Sequence, residues 1–221
     1  MRKVFRECGL SLVLTGLFLI LLVGESVAGY FTYNSEQDDH GQPRIGYLQF
    51  LRTGTFLEAT TENWESEFLE MMMFILLAKK LYQKGSSESK DPDGGPADED
   101  ADPREHQRDP DAPWPVRRGG WVLVLYEHSL SIAFGLLFLV SITLHAVGGA
   151  RAFNHEQFLH GRPAISLGQF MVSSQFWFQS LQNWQSEFLG ILSMVVLTVF
   201  LRERGSPQSK PVHASYAETT G

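Results

Sequence analysis

Asn63, Glu67, Asn183 and Glu187 stand where long apolar runs begin, and their types suit an ion, a proton or a small solute. Within each pair the asparagine precedes the glutamate by four residues, which puts both on one helical face. Packed together from two helices, the four side chains would form a polar pocket. A structural reading explains the same residues without a ligand. Acids in a first turn favour the helix dipole, asparagine caps a helix, and Trp64 and Trp184 suit a membrane interface.

Two further pairs carry titratable chemistry. Glu36 and His40, and again Glu156 and His160, lie four apart on short helical segments. With Glu67 and Glu187 they supply nitrogen and oxygen ligands for a divalent metal, although the spacing is no HExxH motif. Mild stabilisation of a surface helix is the competing reading for His40 and His160. Glu25 and His145 fall at equivalent places near the outer ends of two apolar runs. Ionisable groups there are costly unless they face protein or water, so they form an ion pair or snorkel outward. The chain has no Ser-His-Asp signature, no phosphate-cradling glycine loop and no plausible catalytic cysteine. Neither an enzyme nor a cofactor is expected.

The elements that must position these residues are organised by duplication. Asn63-Trp64-Glu65-Ser66-Glu67-Phe68-Leu69 returns as Asn183-Trp184-Gln185-Ser186-Glu187-Phe188-Leu189, displaced by 120 positions. The same displacement aligns Glu7 to Lys90 with Glu127 to Lys210 without a gap, and about 30 of 84 aligned positions are identical. The chain is therefore read as two copies of one unit.

Bulk figures mislead for such a chain. Its 221 residues are 43% hydrophobic with a net charge of −7, averages that mix apolar runs with an acidic segment. Cys8 is the single cysteine, so no disulfide forms within the chain. The basic residues form no stripe, which argues against nucleic acid. About 20 apolar residues span a bilayer core of about 30 Å. The runs predict transmembrane helices at about residues 10–28 and 64–82 in the first repeat (1–84), and at about 122–147 and 184–201 in the second (121–205). A cleaved signal peptide at Ser26-Val27-Ala28 is the weaker reading of the first run, because its repeat partner is internal.

Between the spans of each repeat the outer segment is amphipathic. Asn34 with Gln37, and Asn154 with Gln157, have capping-box spacing, and Gly41, Pro43, Gly161 and Pro163 mark stops. Short surface helices are expected after each proline. Residues 85–120 are rich in Asp, Glu, Pro and Gly and are expected to form a disordered linker. Within it, Trp114 between Pro113 and Pro115 is the one anchor or docking point. The Gly85-Ser86 and Gly205-Ser206 steps read as helix stops. The tail at 206–221 is polar, like the linker.

Of the 18 Lys and Arg residues, all but Arg44, Arg52, Arg151 and Arg162 fall on the side holding both termini and the linker. The positive-inside rule places that side in the cytoplasm. Both repeats then run in the same direction, a parallel repeat. The fold class expected is all-α, a polytopic bundle of four transmembrane helices built as two hairpins.

The tandem NWxSEFL segments, the HGxP turns and the GSxxSK span endings resemble an uncharacterised bacterial integral membrane protein family, domain-of-unknown-function family 6766. The resemblance extends over nearly the whole chain, including Pro-Trp-Pro-Val-Arg-Arg-Gly-Gly before the third span. It implies a multi-pass protein of the bacterial cytoplasmic membrane and transfers no catalytic residue. Two functions fit the residues. One is a non-enzymatic structural or partner-binding role, with the acidic linker contacting a cytoplasmic protein. The other is a small transporter or channel-like protein with a polar path between the repeats. Four spans are few for a carrier, so that reading expects a homodimer in the lipid bilayer.

Overall fold

The computed structural model describes residues 2–94 and 97–219. Met1, Gly95, Pro96, Thr220 and Gly221, which include the ends of the expected first repeat and tail and two linker positions, lie outside the described residues. Every described element is helical. The order is α1 (Arg2–Asp39), α2 (Tyr47–Phe50), α3 (Gly54–Ala78), α4 (Trp114–Arg118), α5 (Gly120–Glu127), α6 (Ser129–Leu159), α7 (Leu167–Met171) and α8 (Ser174–Phe200). Short 3-10 turns at Asp98–Asp100 and Pro103–His106 lie in the linker.

Three helices are long and apolar enough to cross a bilayer: Lys3–Asp39, Ser129–Leu159 and Ser174–Phe200. The distribution of side chains agrees with lipid outside. Leu10, Leu14, Ile20, Leu21, Leu136, Leu139, Val140, Leu192 and Leu197 are exposed, whereas Ser26, Asn34, Glu65, Ser141 and His145 are buried. A water-soluble core has the opposite arrangement. α3, which overlaps the span expected at 64–82, has the length at 25 residues and about 37 Å but is not among these three. It is distinguished by carrying Glu58, Glu62, Glu65, Glu67 and Glu70.

Local sequence explains where helices break, and positions 120 apart break alike. α1 departs from helical geometry at Cys8 (φ −129°, ψ 16°), and α5 is separated from α6 at His128 (φ −115°, ψ 9°). The turns after α1 and α6 use Gly41 (φ 65°) and Gly161 (φ 66°), the left-handed residues of Schellman endings. Gln42 N–H donates to Gln37 C=O and Arg162 N–H to Gln157 C=O, both at 2.8 Å.

Two sequence expectations are corrected. Asn34 and Asn154 do not start new helices, because α1 and α6 run unbroken to Asp39 and Leu159. No proline interrupts either helix, and tertiary packing holds the ends in helical form. Each asparagine instead clamps the chain that returns from the turn. Asn34 Oδ1 accepts from Ile45 N–H (2.8 Å) and its Nδ2 donates to Ile45 C=O (3.2 Å). Asn154 does the same with Ile165, at 2.8 and 2.9 Å.

Trp64 and Trp184 do not open their helices either. α3 begins at Gly54 and α8 at Ser174, ten residues earlier. The true caps are Thr53, whose Oγ1 accepts from Phe56 N–H, and Ser173, whose Oγ accepts from Phe176 N–H, each at 3.3 Å. Ser and Thr satisfy a free N–H at a helix start, which outweighs the boundary suggested by hydropathy alone.

The chain divides into two compact units. One comprises Met1–Thr61 and Thr143–Trp177, the other Glu62–Ile142 and Phe178–Gly221. The first is centred on aromatic rings brought in by α2 and α7. Phe50 and Phe170 are buried at its centre. Tyr33–Phe50 and Phe50–Phe56 centroids lie 5.7 and 5.5 Å apart, and Phe153–Phe170 and Phe170–Phe176 lie 5.9 and 5.7 Å apart. Phe170 fits because Gly149 has no Cβ, which would lie 2.6 Å from the ring.

In the second unit the polar segments are tied down more than their composition suggests. Lys90 pairs with Asp100 (2.6 Å), Lys84 with Asp93, and Arg104 with Glu127 (3.5 Å). Trp114 opens α4, with the Arg118 guanidinium 5.5 Å over its ring. The tail is held by Lys210, 1% exposed, whose ammonium donates to the carbonyls of Ser215 (3.1 Å), Tyr216 (3.2 Å) and Glu218 (2.7 Å). A buried ammonium needs such partners, so the lysine folds the tail around itself. Lys210→Ala should release residues 211–219 while α8 keeps its fold. Limited proteolysis reads this directly: faster cleavage within the tail with an unchanged melting temperature is expected, and unaltered cleavage contradicts it.

Candidate functional site

The repeated segment places its acids near the middle of two long helices. Glu67 lies thirteen residues after the start of α3, and Glu187 thirteen after the start of α8. A helix N-terminus therefore has no part in stabilising them, since the dipole acts within the first turn. Asn63 and Asn183 sit one turn earlier, where their carbonyls accept from Ser66 Oγ (2.8 Å) and Ser186 Oγ (3.1 Å).

The structure brings Glu67 and Glu187 together and adds a carboxylate that the sequence reading missed. Ligand oxygens of Glu67, Glu70 and Glu187 all lie within 4.8 Å of one another. Glu70 is 6% exposed, Glu187 is half-buried and Glu67 reaches solvent. Among the described residues none of these three side chains makes a hydrogen bond or salt bridge. Glu70 escaped the sequence reading because the residue 120 positions on is Gly190 and not an acid. Its signal was the spacing of three from Glu67 inside an otherwise apolar run.

Neighbouring residues fix this arrangement. Glu65, fully buried, accepts from the Trp184 indole N–H at 3.1 Å. Trp184 also lies edge-on to Phe138 at 6.3 Å, and Phe68 meets Phe134 at 6.3 Å. Trp184 thus links α8 to Glu65 of α3. Three carboxylates this close repel one another when ionised, and protons or a cation between them relieve that repulsion.

The first unit holds a second polar place. A cavity of about 450 Å³ is lined by Tyr33, Glu36, Gln37, His40, Glu58, His155, Glu156 and His160, among others. His40 and His160, from the ends of α1 and α6, meet edge-to-face with ring centroids 5.7 Å apart. His155 stacks on Tyr33, and its Nε2 lies 3.0 Å from Gln37 Oε1 and 3.2 Å from Tyr33 Oη. Glu25 accepts from Thr60 Oγ1 at 3.3 Å. His145 is fully buried, stacked on Phe176 at 4.9 Å.

No curated protein and no solved structure matches the chain. A family model described as "Domain of unknown function (DUF6766)" matches residues 1–221.

Proposed function

The chain belongs to the DUF6766 family along its whole length, and from that premise we propose a non-enzymatic, four-span membrane protein that passes a small cation or proton. The observation that carries this reading is the meeting of Glu67, Glu70 and Glu187 at mid-helix. Acids at such depth are costly in lipid and are kept where they handle charge. The reading takes α3 as the fourth span beside α1, α6 and α8. Glu58, Glu65 and Glu70 support it, because they turn inward at 9%, 0% and 6% exposure and leave Leu76 and Leu77 outside.

With four spans both termini and the linker share one side, and the excess of Lys and Arg there supports a cytoplasmic placement. The pairing of residues 120 apart, Glu67 with Glu187 and His40 with His160, supports two hairpins related by a pseudo-twofold axis. A partner-binding role for residues 85–120 has weaker footing, because Asp93 and Asp100 already pair with Lys84 and Lys90.

The test is flux in proteoliposomes carrying a pH dye or a potassium- or sodium-sensitive dye. The triple variant Glu67→Gln, Glu70→Gln, Glu187→Gln keeps side-chain size and removes charge. Its flux should fall about tenfold or more relative to the parent, while its melting temperature rises as the repulsion disappears. Equal flux from both proteins for all three ions overturns the proposal.

A further inference from the structure

We infer that His40 and His160 form a binding site for a transition-metal divalent cation such as Zn²⁺, separate from the carboxylate cluster. The inference is independent of the transport reading. It begins with the tautomers. His40 Nδ1 lies 2.8 Å from Glu36 C=O, and His160 Nδ1 lies 2.9 Å from Glu156 C=O. A carbonyl only accepts, so each Nδ1 carries the proton and donates it. In the neutral ring the lone pair is then on Nε2. Metal-bound histidines use this arrangement, with one nitrogen on the metal and the other held by a carbonyl or carboxylate.

The separation of the rings suits one shared ion. At a Zn–N distance of about 2.0–2.1 Å, an imidazole centroid lies about 3.2 Å from the metal. Two such rings at tetrahedral or slightly wider angles have centroids about 5–6 Å apart. The observed 5.7 Å falls in that range. His40 and His160 are also exposed, so an ion reaches them without opening the fold.

The surroundings favour a metal over two bare imidazoles. Glu36 and Glu156 line the same cavity as the two histidines and add negative charge beside them. Water completes the coordination shell around the two imidazoles. His155 does not serve as a ligand through Nε2, because that nitrogen donates to Gln37 Oε1 and borders Tyr33 Oη. It shapes the cavity wall instead. Imidazole ligands select Zn²⁺, Ni²⁺ or Cu²⁺ over Mg²⁺ and Ca²⁺, which take oxygen ligands. The outer cavity and the carboxylate cluster therefore call for different cations.

The experiment uses the full chain, purified in detergent and stripped with chelator. Co²⁺ titration is followed by its visible absorption bands and Zn²⁺ titration by calorimetry. One Zn²⁺ per chain at micromolar affinity is expected. His40→Ala with His160→Ala should weaken binding by about 100-fold or more and remove the imidazole-cobalt bands. The Glu67→Gln, Glu70→Gln, Glu187→Gln variant should bind as the parent does. Should the histidine variant misfold, Zn²⁺ protection of His40 and His160 in the parent against carbethoxylation gives the same answer by mass spectrometry. Absence of micromolar Zn²⁺ binding, binding that survives loss of both histidines, or loss of binding in the glutamine variant overturns the site.

Discussion

Gly54→Ala lowers the melting temperature in detergent, and Gly148→Ala lowers it too, although alanine is the better helix former. A Cβ on Gly54 would stand 2.5 Å from Arg151 Cβ and 2.6 Å from both Ala152 N and Gly148 O. On Gly148 it would stand 2.6 Å from Glu58 N. These neighbours are mostly backbone of a packed helix, so α3 must move away from α6 at that crossing. The gain in helix propensity is about 1 kcal/mol at most and smaller in the first turn. Overpacking against backbone costs about 1–3 kcal/mol per site and more when a helix shifts. The steric cost wins, and about 2–3 kcal/mol of destabilisation is expected for either change. Gly24→Ala is the contrast, because nothing lies within 4 Å of its added Cβ. That change should be neutral or stabilising by up to about 1 kcal/mol. If all three variants shift the melting temperature equally, close packing at Gly54 and Gly148 is not what holds α3 against α6.

Replacing Asn34 and Asn154 with leucine is the second large effect. Each amide engages both the N–H and the C=O of an isoleucine eleven residues on. Asn34 is 5% exposed, so leucine leaves the Ile45 peptide with neither its partner nor ready access to water. An unsatisfied buried donor or acceptor costs about 1–3 kcal/mol, which gives about 2–4 kcal/mol for Asn34→Leu. Asn154 is only half-buried, and Asn154→Leu should cost less. Asn34→Asp separates the two bonds, because a carboxylate still accepts from Ile45 N–H but cannot donate to Ile45 C=O. Its destabilisation should fall between the parent and leucine. Hydrogen exchange gives the local readout: the Ile45 amide should lose protection in Asn34→Leu, and the Ile165 amide in Asn154→Leu. Protection that persists in both variants would mean that the turns are held by their glycines and prolines alone.

Much of the fold was legible because its signals are local. The glycines at 41 and 161 and the prolines after them marked real turns, since a left-handed residue and a missing N–H end helices whatever surrounds them. Three of the four apolar runs lie in helices long and apolar enough to cross a bilayer, because hydropathy acts along a single helix. The errors have the same origin. Hydropathy placed the starts of α3 and α8 at Trp64 and Trp184, while the caps at Thr53 and Ser173 lie in the amphipathic outer segments, where hydropathy marks no boundary. Asn34 has the right type for a cap, but its partner is Ile45 across a turn, a contact that spacing alone does not reveal.

The candidate sites divide along the same line. By itself the sequence determined that the segment around Trp64 recurs 120 positions on, that three long runs suit lipid, and that Glu67 and Glu187 hold matching places in the two segments. The same holds for His40 and His160. Only the tertiary structure decided that these equivalents meet, because residues 120 apart come together through helix packing and not through any local preference. It also decided that Glu70 completes the carboxylate cluster. Gly190 stands 120 positions after Glu70, so the recurring pattern gave no cue for an acid there. Local chemistry set the helices and turns, while the packing of distant segments chose which charged groups face one another.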